Sequence, residues 1–140
     1  MKVSHPRHIT ILLVDDEPEV LRLFKRIILS SEGSLILTAQ TGAEALEIAR
    51  QTRLDLALLD IRLPDVEGTK VLQALRRIDP ALPIIMVTSY GSFETVRASM
   101  ELGALDYLTK PFDNKEIRQV VREALASRAG PPAGRAGRPR

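Results

Sequence analysis

The sequence predicts an α/β domain in which helices cover both faces of a five-stranded parallel sheet. Between residues 8 and 127, five short apolar runs alternate strictly with five amphipathic segments. This alternation is typical of parallel sheets whose strands are joined by right-handed crossovers. The run 54–60 is apolar on both faces and ends on a carboxylate. It therefore has the pattern of a central strand that is covered on both sides.

The first strand is predicted at 8–14, a β-rich run that ends at Asp15 and Asp16. The first helix begins around Pro18, a residue that suits a first helical turn, and the glutamates on either side of it complement the helix dipole. Apolar residues then recur at helical spacing until Gly33 breaks the helix.

The second strand is predicted at 35–39. Thr41 follows it and, with Glu44 three residues later, forms the capping box of a second helix. The third strand ends at Asp60, and Pro64 stops the apolar run four residues later. The later elements are predicted in the same way, from apolar runs and turn residues. They are a helix from the loop at Gly68 to about Ile78, a strand at 84–88, a weaker helix at 93–102 closed by Gly103, a strand at 104–108, and a helix that follows Phe112 and ends near Ser127.

Residues 1–127 are thus expected to form the domain, and residues 128–140 a disordered basic tail or linker. The tail is rich in glycine, proline and alanine and contains four arginines and no acid, a composition that cannot build a core. Without it, 16 basic residues stand against 18 acidic ones, so the domain carries −2. A weakly acidic domain gives no electrostatic case for binding nucleic acid.

Composition excludes several other classes. The chain contains no cysteine, so disulfides and thiolate metal sites are excluded. The first residues lack the apolar core of a signal peptide, and no apolar run reaches the roughly 18 residues of a membrane span. A cytoplasmic location without membrane contact is the expectation.

Polar side chains stand at the ends of four of the five predicted strands: Asp15 and Asp16, Asp60, Thr88, and Lys110 just past the fifth. Parallel strands bring these ends to the edge of an open sheet where ligands bind. Clustered carboxylates repel one another unless a cation lies among them, and Mg²⁺ suits such a set together with a phosphate. Lys110 and Thr88 add a charge and a donor for phosphoryl oxygens. The set predicts a magnesium site in which Asp60 attacks phosphorus and becomes an aspartyl phosphate.

Each of these residues also has a purely structural interpretation. Asp15 and Asp16 suit the N-terminal cap of the first helix, Thr88 is an ordinary strand residue, and Lys110 can be a solvated charge. Asp60 is harder to explain in this way, because uncompensated acids at the end of a buried strand are rare. Taken together, five such residues on one edge of the sheet favour a shared site.

Four separated motifs make a family resemblance visible: Ile11–Glu17, Asp60–Gly68, Val87–Ser89 and Asp106–Phe112. The chain resembles the receiver domain of two-component response regulators, the chemotaxis-receiver-like family, over about residues 8–127. The segments from Tyr90 to Thr95 and from Lys110 to Asp113 are most similar to receivers of NtrC-type regulators. The resemblance implies a doubly wound (βα)5 fold with the flavodoxin-like strand order 2-1-3-4-5.

The resemblance also implies roles for individual residues. Asp60 is expected to accept a phosphoryl group, with Asp16 and Asp60 on Mg²⁺ and Asp15 acting on it through water. The remaining roles implied are the backbone carbonyl of Arg62 as a metal ligand, Thr88 as the switch hydroxyl, Tyr107 as the switch aromatic, Lys110 as the phosphate-binding lysine, and a cis bond before Pro111. The position of Arg62 varies in the family and is associated with the rate of dephosphorylation, so Arg62 is expected to tune the lifetime of the phosphoryl group. Ser89, a second rate-tuning position, is commonly alanine or glycine in the family.

The partners implied are a sensor histidine kinase or phosphotransfer protein. Activation is expected to remodel the surface formed by the fourth helix, fifth strand and fifth helix. A homodimer, an output domain outside this chain and a stand-alone receiver all remain open, while 140 residues leave no room for a DNA-binding helix-turn-helix after position 127.

Two other classes of protein are alternatives to a receiver. A phosphohydrolase that forms an aspartyl phosphate typically has a second aspartate two residues after the nucleophile, where this chain has Arg62. A flavodoxin-type cofactor module would need a loop rich in glycine or hydroxyls after the first strand, where this chain has two aspartates. A receiver without turnover of an external substrate is therefore the prediction.

Overall fold

Five strands and five helices alternate along the chain. The computed structural model describes residues 9–29, 34–89 and 93–129. The strands are β1 (Ile9–Val14), β2 (Ser34–Ala39), β3 (Leu56–Asp60), β4 (Ile84–Thr88) and β5 (Asp106–Thr109). The helices are α1 (Pro18–Leu29), α2 (Gly42–Gln51), α3 (Gly68–Ile78), α4 (Phe93–Glu101) and α5 (Asn114–Ala129).

The strands form one parallel sheet in the order β2-β1-β3-β4-β5, which confirms the predicted fold class and strand order. All five residues of β3 and of β4 are buried. The uninterrupted apolar pattern of these strands therefore has the predicted cause, namely that the middle of the sheet is covered on both faces.

Alternate residues of β1, β2, β3 and β4 enter two separate cores, because side chains along a strand point to opposite faces. In β1, Ile11 and Leu13 pack with the apolar residues of α1 and α5. Leu12 and Val14 pack on the other face, with those of α2 and α3. The helices on the two faces thus cover the sheet and fix the positions of the strand ends.

The ends of several elements differ from the predicted bounds by one or two residues. Strand β3 begins at Leu56, because the carboxylate of Asp55 before it accepts a hydrogen bond from the backbone N–H of Thr10 at 2.8 Å. Strand β5 begins at Asp106 and extends to Thr109. Helix α4 ends at Glu101, and Gly103 has a φ of +105°, the left-handed conformation that favours glycine after a helix.

The difference at the end of α5 changes the assignment of one arginine. It extends to Ala129, so Arg128 belongs to a helix and not, as predicted, to the tail. Its guanidinium is nearly buried and pairs with Asp79, which gives the last helical turn a tertiary contact. Gly33 and residues 130–140 lie outside the described residues, so the predictions made for them stay predictions. Among the described residues, no helix has the length and apolarity needed to cross a membrane.

Candidate functional site

Three carboxylates meet at the carboxyl end of the sheet. Strand pairing sets Val14 beside Leu59, so Asp15 and Asp60, each one residue further along, follow side by side. Oxygens of Asp15, Asp16 and Asp60 all lie within 4.8 Å of one another. Asp15 and Asp60 are buried, whereas Asp16 is exposed. This spacing and this donor set suit a hard divalent cation such as Mg²⁺, which prefers oxygen ligands.

Lys110 reaches this cluster from the end of β5. Its Nζ lies 3.0 Å from Asp15 Oδ2, 3.3 Å from Glu17 Oε1 and 3.5 Å from Asp60 Oδ2, and 16% of the side chain is exposed. Burial acts to lower the pKa of Lys110, but the hydrogen bond that Lys110 donates to Asp15 and the charge of Asp60 outweigh it, so the pKa is raised. The carboxylates around it therefore favour the charged form of the ammonium group.

The pKa of Asp60 is strongly shifted by its surroundings. Burial raises its pKa to about 6, against the hydrogen bond that the Arg62 backbone N–H donates to Oδ1 at 3.0 Å. The charge of Asp15 also raises the pKa, and that of Lys110 lowers it. Asp60 ends a fully buried strand, and its position there leaves the carboxylate partly desolvated. A carboxylate in such surroundings gains from a bound cation.

Both oxygens of Asp15 have protein partners. Oδ1 accepts from the backbone N–H of Glu17 at 2.9 Å, and Oδ2 accepts from Lys110. Asp15 is therefore oriented by its own loop and by a strand at the far side of the site. The N–H that Asp15 satisfies belongs to Glu17, which precedes α1, so this contact orders the loop and is not a cap on the first helical turn.

The remaining predicted site residues lie on or just after strands β3, β4 and β5. Thr88 ends β4, is 6% exposed, and its backbone carbonyl accepts from the N–H of Lys110 at 2.7 Å. Tyr107 lies on the edge strand and is 40% exposed. The side chains of Arg62 and Ser89 are also exposed. The bond between Lys110 and Pro111 is cis, as predicted from the resemblance.

Sequence reasoning missed three residues that support this edge. Glu17 pairs with Lys110, whereas the sequence predicts only that its charge complements the dipole of α1. The Gln40 side chain donates to the carbonyl of Asp16 at 3.2 Å, and the carboxylate of Asp65 binds the start of α2. Gln40 directly follows β2, so the rule of polar residues at strand ends could have found it. Asp65 carries no such signal.

A sequence model described as the response regulator receiver domain matches residues 11–122. The chain belongs to this family. The receiver domain is a signalling module of two-component systems and not a metabolic enzyme. The resemblance proposed from the four motifs is thereby confirmed.

Relatives of two sizes match the chain. Sporulation initiation phosphotransferase F of Bacillus subtilis is 37% identical over 115 residues, which cover 82% of this chain and 92% of that protein. The transcriptional regulatory protein GlrR of Escherichia coli is 34% identical over 128 residues, which cover 91% of this chain. The chain spans only 28% of the length of GlrR. This receiver is therefore similar both to a protein of its own size and to one part of a longer NtrC-type regulator.

Solved structures agree with the fold. A receiver domain protein from Methanospirillum hungatei has a TM-score of 0.83 at 34% identity and covers 87% of this chain and 97% of its own. The receiver domain of NtrX from Brucella abortus has a TM-score of 0.78 at 33% identity and covers 84% of this chain and 98% of its own.

Proposed function

We propose that Asp60 is the phosphoacceptor of this receiver. The observation that carries the proposal is the position of Lys110 Nζ, 3.0 Å from Asp15 and 3.5 Å from Asp60, within a cluster of three carboxylates at one edge of the sheet. An ammonium group and a carboxylate cluster side by side suit a site that binds a cation and a phosphoryl group together.

The carboxylates of Asp15, Asp16 and Asp60 and the backbone carbonyl of Arg62 would hold Mg²⁺. Their oxygens are of the hard type that this ion prefers, and three close carboxylates need a cation to offset their repulsion. When bound, the ion neutralises charge on the phosphoryl oxygens. Both oxygens of Asp15 already have protein partners, which supports contact with the metal through water.

The transfer begins from a phosphohistidine of a sensor kinase or phosphotransfer protein. A carboxylate oxygen of Asp60 attacks phosphorus, the phosphorus–nitrogen bond breaks, and its electron pair returns to the imidazole, which takes up a proton. Lys110 offsets the negative charge of the phosphoryl oxygens, and Thr88 donates a hydrogen bond to one of them. The product is an acyl phosphate on Asp60.

The phosphorylated state is read out at the surface formed by α4, β5 and α5. Phosphorylation adds about −1.5 to −2 charges at the end of β3. Thr88 moves toward a phosphoryl oxygen, and Tyr107, which is exposed on the edge strand, turns into the space that Thr88 leaves. Shifting such an equilibrium from 1:99 to 99:1 requires about 5.5 kcal/mol, which several charge-assisted hydrogen bonds can supply.

The signal ends by hydrolysis at the same site. Water attacks phosphorus, inorganic phosphate leaves, and the carboxylate of Asp60 is restored without turnover of an external substrate. The exposed side chains of Arg62 and Ser89 stand at positions from which they can shield the phosphoryl group or admit water. We propose that Arg62 sets this rate.

We also propose which proteins supply the phosphoryl group to this domain and which receive its signal. A histidine kinase or phosphotransfer protein in the cytoplasm supplies the phosphoryl group. A homodimer through α4, β5 and α5, or an output domain joined after α5, receives the signal, and this chain itself does not read DNA.

Intact mass after incubation with acetyl phosphate and Mg²⁺ tests the phosphoacceptor. We expect one added phosphoryl group on the wild type, and none on Asp60→Asn or when Mg²⁺ is removed by a chelator. An adduct that persists in Asp60→Asn would refute the assignment. Continuous release of phosphate from small esters would instead favour a phosphohydrolase.

Amide spectra test the switch. A phosphate mimic bound at Asp60 should shift the resonances of α4, β5 and α5, and the shifts beyond β4 should be much smaller in Thr88→Ala. Unchanged spectra of residues 93–125 in the wild type would contradict the proposed readout.

A further inference from the structure

The start of α2 is held by a side chain from a different loop. Among the first backbone N–H groups of a helix, several have no partner inside the helix. In α2, Thr41 accepts from the N–H of Glu44 at 3.1 Å. The N–H groups of Gly42 and Ala43 instead donate to the two oxygens of Asp65, at 2.8 and 3.0 Å. One carboxylate from the loop after β3 thus caps a helix that lies 22 residues earlier in the chain.

The loop that carries Asp65 is tied closely to Asp60. Arg62 donates its backbone N–H to Asp60 Oδ1 at 3.0 Å and forms an antiparallel bridge with Glu67. The N–H of Gly68 donates to the carbonyl of Ile61 at 2.6 Å. These bonds close residues 61–67 into a compact unit, so a shift of Asp65 is transmitted to the backbone of Arg62.

Close packing adds a second contact between this loop and α2. A methyl group on Gly42 would overlap Val66 Cγ1 and lie 2.8 Å from Val71 Cγ2. Glycine therefore allows the helix to approach the loop to the distance at which Asp65 can reach two N–H groups.

The residue that precedes the cap of α2, Gln40, contacts the loop that carries Asp15 and Asp16. The Gln40 side chain donates to the carbonyl of Asp16 at 3.2 Å, and the Gln40 N–H donates to Glu44 Oε1 at 2.8 Å. The loop between β2 and α2 contributes no residue to the carboxylate cluster itself. Gln40 in this loop contacts the loop of Asp16, and the first two residues of the helix that follows it, α2, contact the loop of Asp65.

The ionisation of Asp65 also supports its role in holding the start of α2. Hydrogen bonds from Gly42 and then Ala43 hold the pKa of this exposed carboxyl below its ordinary value. The ionised form is thus the one that binds the helix, where it also complements the positive end of the helix dipole.

We propose that Asp65 is a positioning residue for the metal site. By binding the first two N–H groups of α2 it fixes loop 61–67, and with it the carbonyl of Arg62 and the carboxylate of Asp60, relative to the loop of Asp16. The proposal rests on the proposed function, in which Arg62 and Asp16 share one Mg²⁺. Residues that hold a metal ligand in place affect metal affinity although they never touch the ion.

Thr41→Ala provides a matched control for Asp65→Ala. Both substitutions remove a cap from the same helix terminus, but the Thr41 side chain accepts its hydrogen bond from Glu44 of α2, whereas Asp65 joins α2 to loop 61–67. Mg²⁺ titrations followed by amide shifts should show affinity about tenfold weaker in Asp65→Ala, the lower end of the effect of losing such a support. The Mg²⁺ affinity of Thr41→Ala should stay within twofold of the wild-type value, even if its melting temperature falls as far as that of Asp65→Ala.

Hydrogen exchange without metal provides a second readout. The amides of Arg62 and Gly68 should exchange faster in Asp65→Ala than in the wild type or in Thr41→Ala. Asp65→Asn keeps one acceptor oxygen, so it should fall between the alanine variant and the wild type in both measurements. It also serves as the test variant if Asp65→Ala does not fold.

Equal changes of Mg²⁺ affinity and amide exchange in the Asp65 and Thr41 variants would show that Asp65 is only a helix cap. Asp65 variants in which neither quantity changes would also overturn the proposal. A wild type that binds no Mg²⁺ and gains no phosphoryl group would instead refute the proposed function, and the positioning role with it. A wild type that does both, beside unaffected Asp65 variants, would refute the positioning role alone.

Discussion

Arg128 fastens the last turn of α5 to the loop that follows α3. Its Nη2 lies 2.8 Å from Asp79 Oδ2 and also donates to the carbonyl of Leu54 at 2.9 Å. Only 10% of the Arg128 side chain and 31% of the Asp79 side chain are exposed. Partly buried forked contacts of this kind hold geometry better than surface ion pairs do.

Replacing Arg128 by alanine should destabilise the domain. The change removes hydrogen bonds to a carboxylate and a carbonyl, so we expect the free energy of unfolding to fall by about 1–2 kcal/mol. Urea denaturation measures this. The control is Arg97→Ala, which breaks a 3.9 Å pair whose side chains are 69% and 72% exposed, and whose loss should cost less than about 0.5 kcal/mol. Equal losses in the two variants would show that burial adds nothing to the Arg128 contact.

The Arg128 contact should also give a pH dependence. The hydrogen bond from Arg128 is the main reason that the pKa of Asp79 lies below its ordinary value of 3.8. A depressed pKa in the folded state means that this stability is present above the unfolded pKa and is lost as pH falls through the folded pKa. The stability difference between wild type and Arg128→Ala should therefore be constant from pH 5 to 7 and shrink below about pH 4. A difference that persists undiminished at pH 2 would contradict the role of the ionised carboxylate.

Gly68 and Gly42 should respond differently to substitution by alanine. A methyl group at Gly68 would overlap the carbonyl of Asp60 and lie 2.7 Å from Ile61 Cα, both of them backbone atoms that cannot turn aside. At Gly42 the nearest atoms belong to side chains, which can shift by rotation. We expect Gly68→Ala to cost about 3 kcal/mol and Gly42→Ala nearer 1 kcal/mol, the two ends of the range for overpacking. Thermal and urea unfolding of the two variants would show a reversed order if the prediction is wrong.

Asp60→Asn should stabilise the metal-free protein. The pKa of Asp60 is raised from 3.8 to about 6, chiefly by burial, so the ionised carboxylate opposes folding at neutral pH. For a raised acid pKa, stability falls as pH rises from the unfolded to the folded value. The gain from Asp60→Asn should thus grow from about pH 4 to pH 6 and reach about 1–3 kcal/mol above it.

Two comparisons control the Asp60 experiment. Asp113→Asn changes a carboxylate that only caps α5 through the N–H of Glu116, and asparagine caps helices about as well, so stability should hardly change. Saturating Mg²⁺ should reverse the order of wild type and Asp60→Asn, because the ion stabilises the form that binds it. A metal-free Asp60→Asn that is less stable than wild type would show that neighbouring charges already compensate the carboxylate.

Local patterns allowed most of the fold and the core of the site to be predicted. The apolar run that ends at Asp60 is visible over seven residues, and its burial follows from sequence alone. The convergence of Asp15, Asp60 and Lys110 could also be inferred, since parallel strands bring their carboxyl ends to the same edge whatever their separation along the chain.

Contacts between distant loops could not be predicted. Arg128 stands beside a segment rich in glycine, proline and alanine, and its partners Asp79 and Leu54 lie 49 and 74 residues away. The link between Asp65 and α2 likewise depends on how closely the helix approaches the loop at Gly42. Such contacts follow from the packing of whole layers, which no short sequence window contains.

The described part of the chain begins and ends at the pole of the sheet opposite Asp60. Thr10, at the start of β1, bonds to Asp55, and Arg128, at the end of α5, bonds to the neighbouring Leu54. A five-residue strand such as β3 is about 17 Å long. The start of β1 and the last turn of α5 therefore lie about one strand length from the edge of the sheet that holds Asp60.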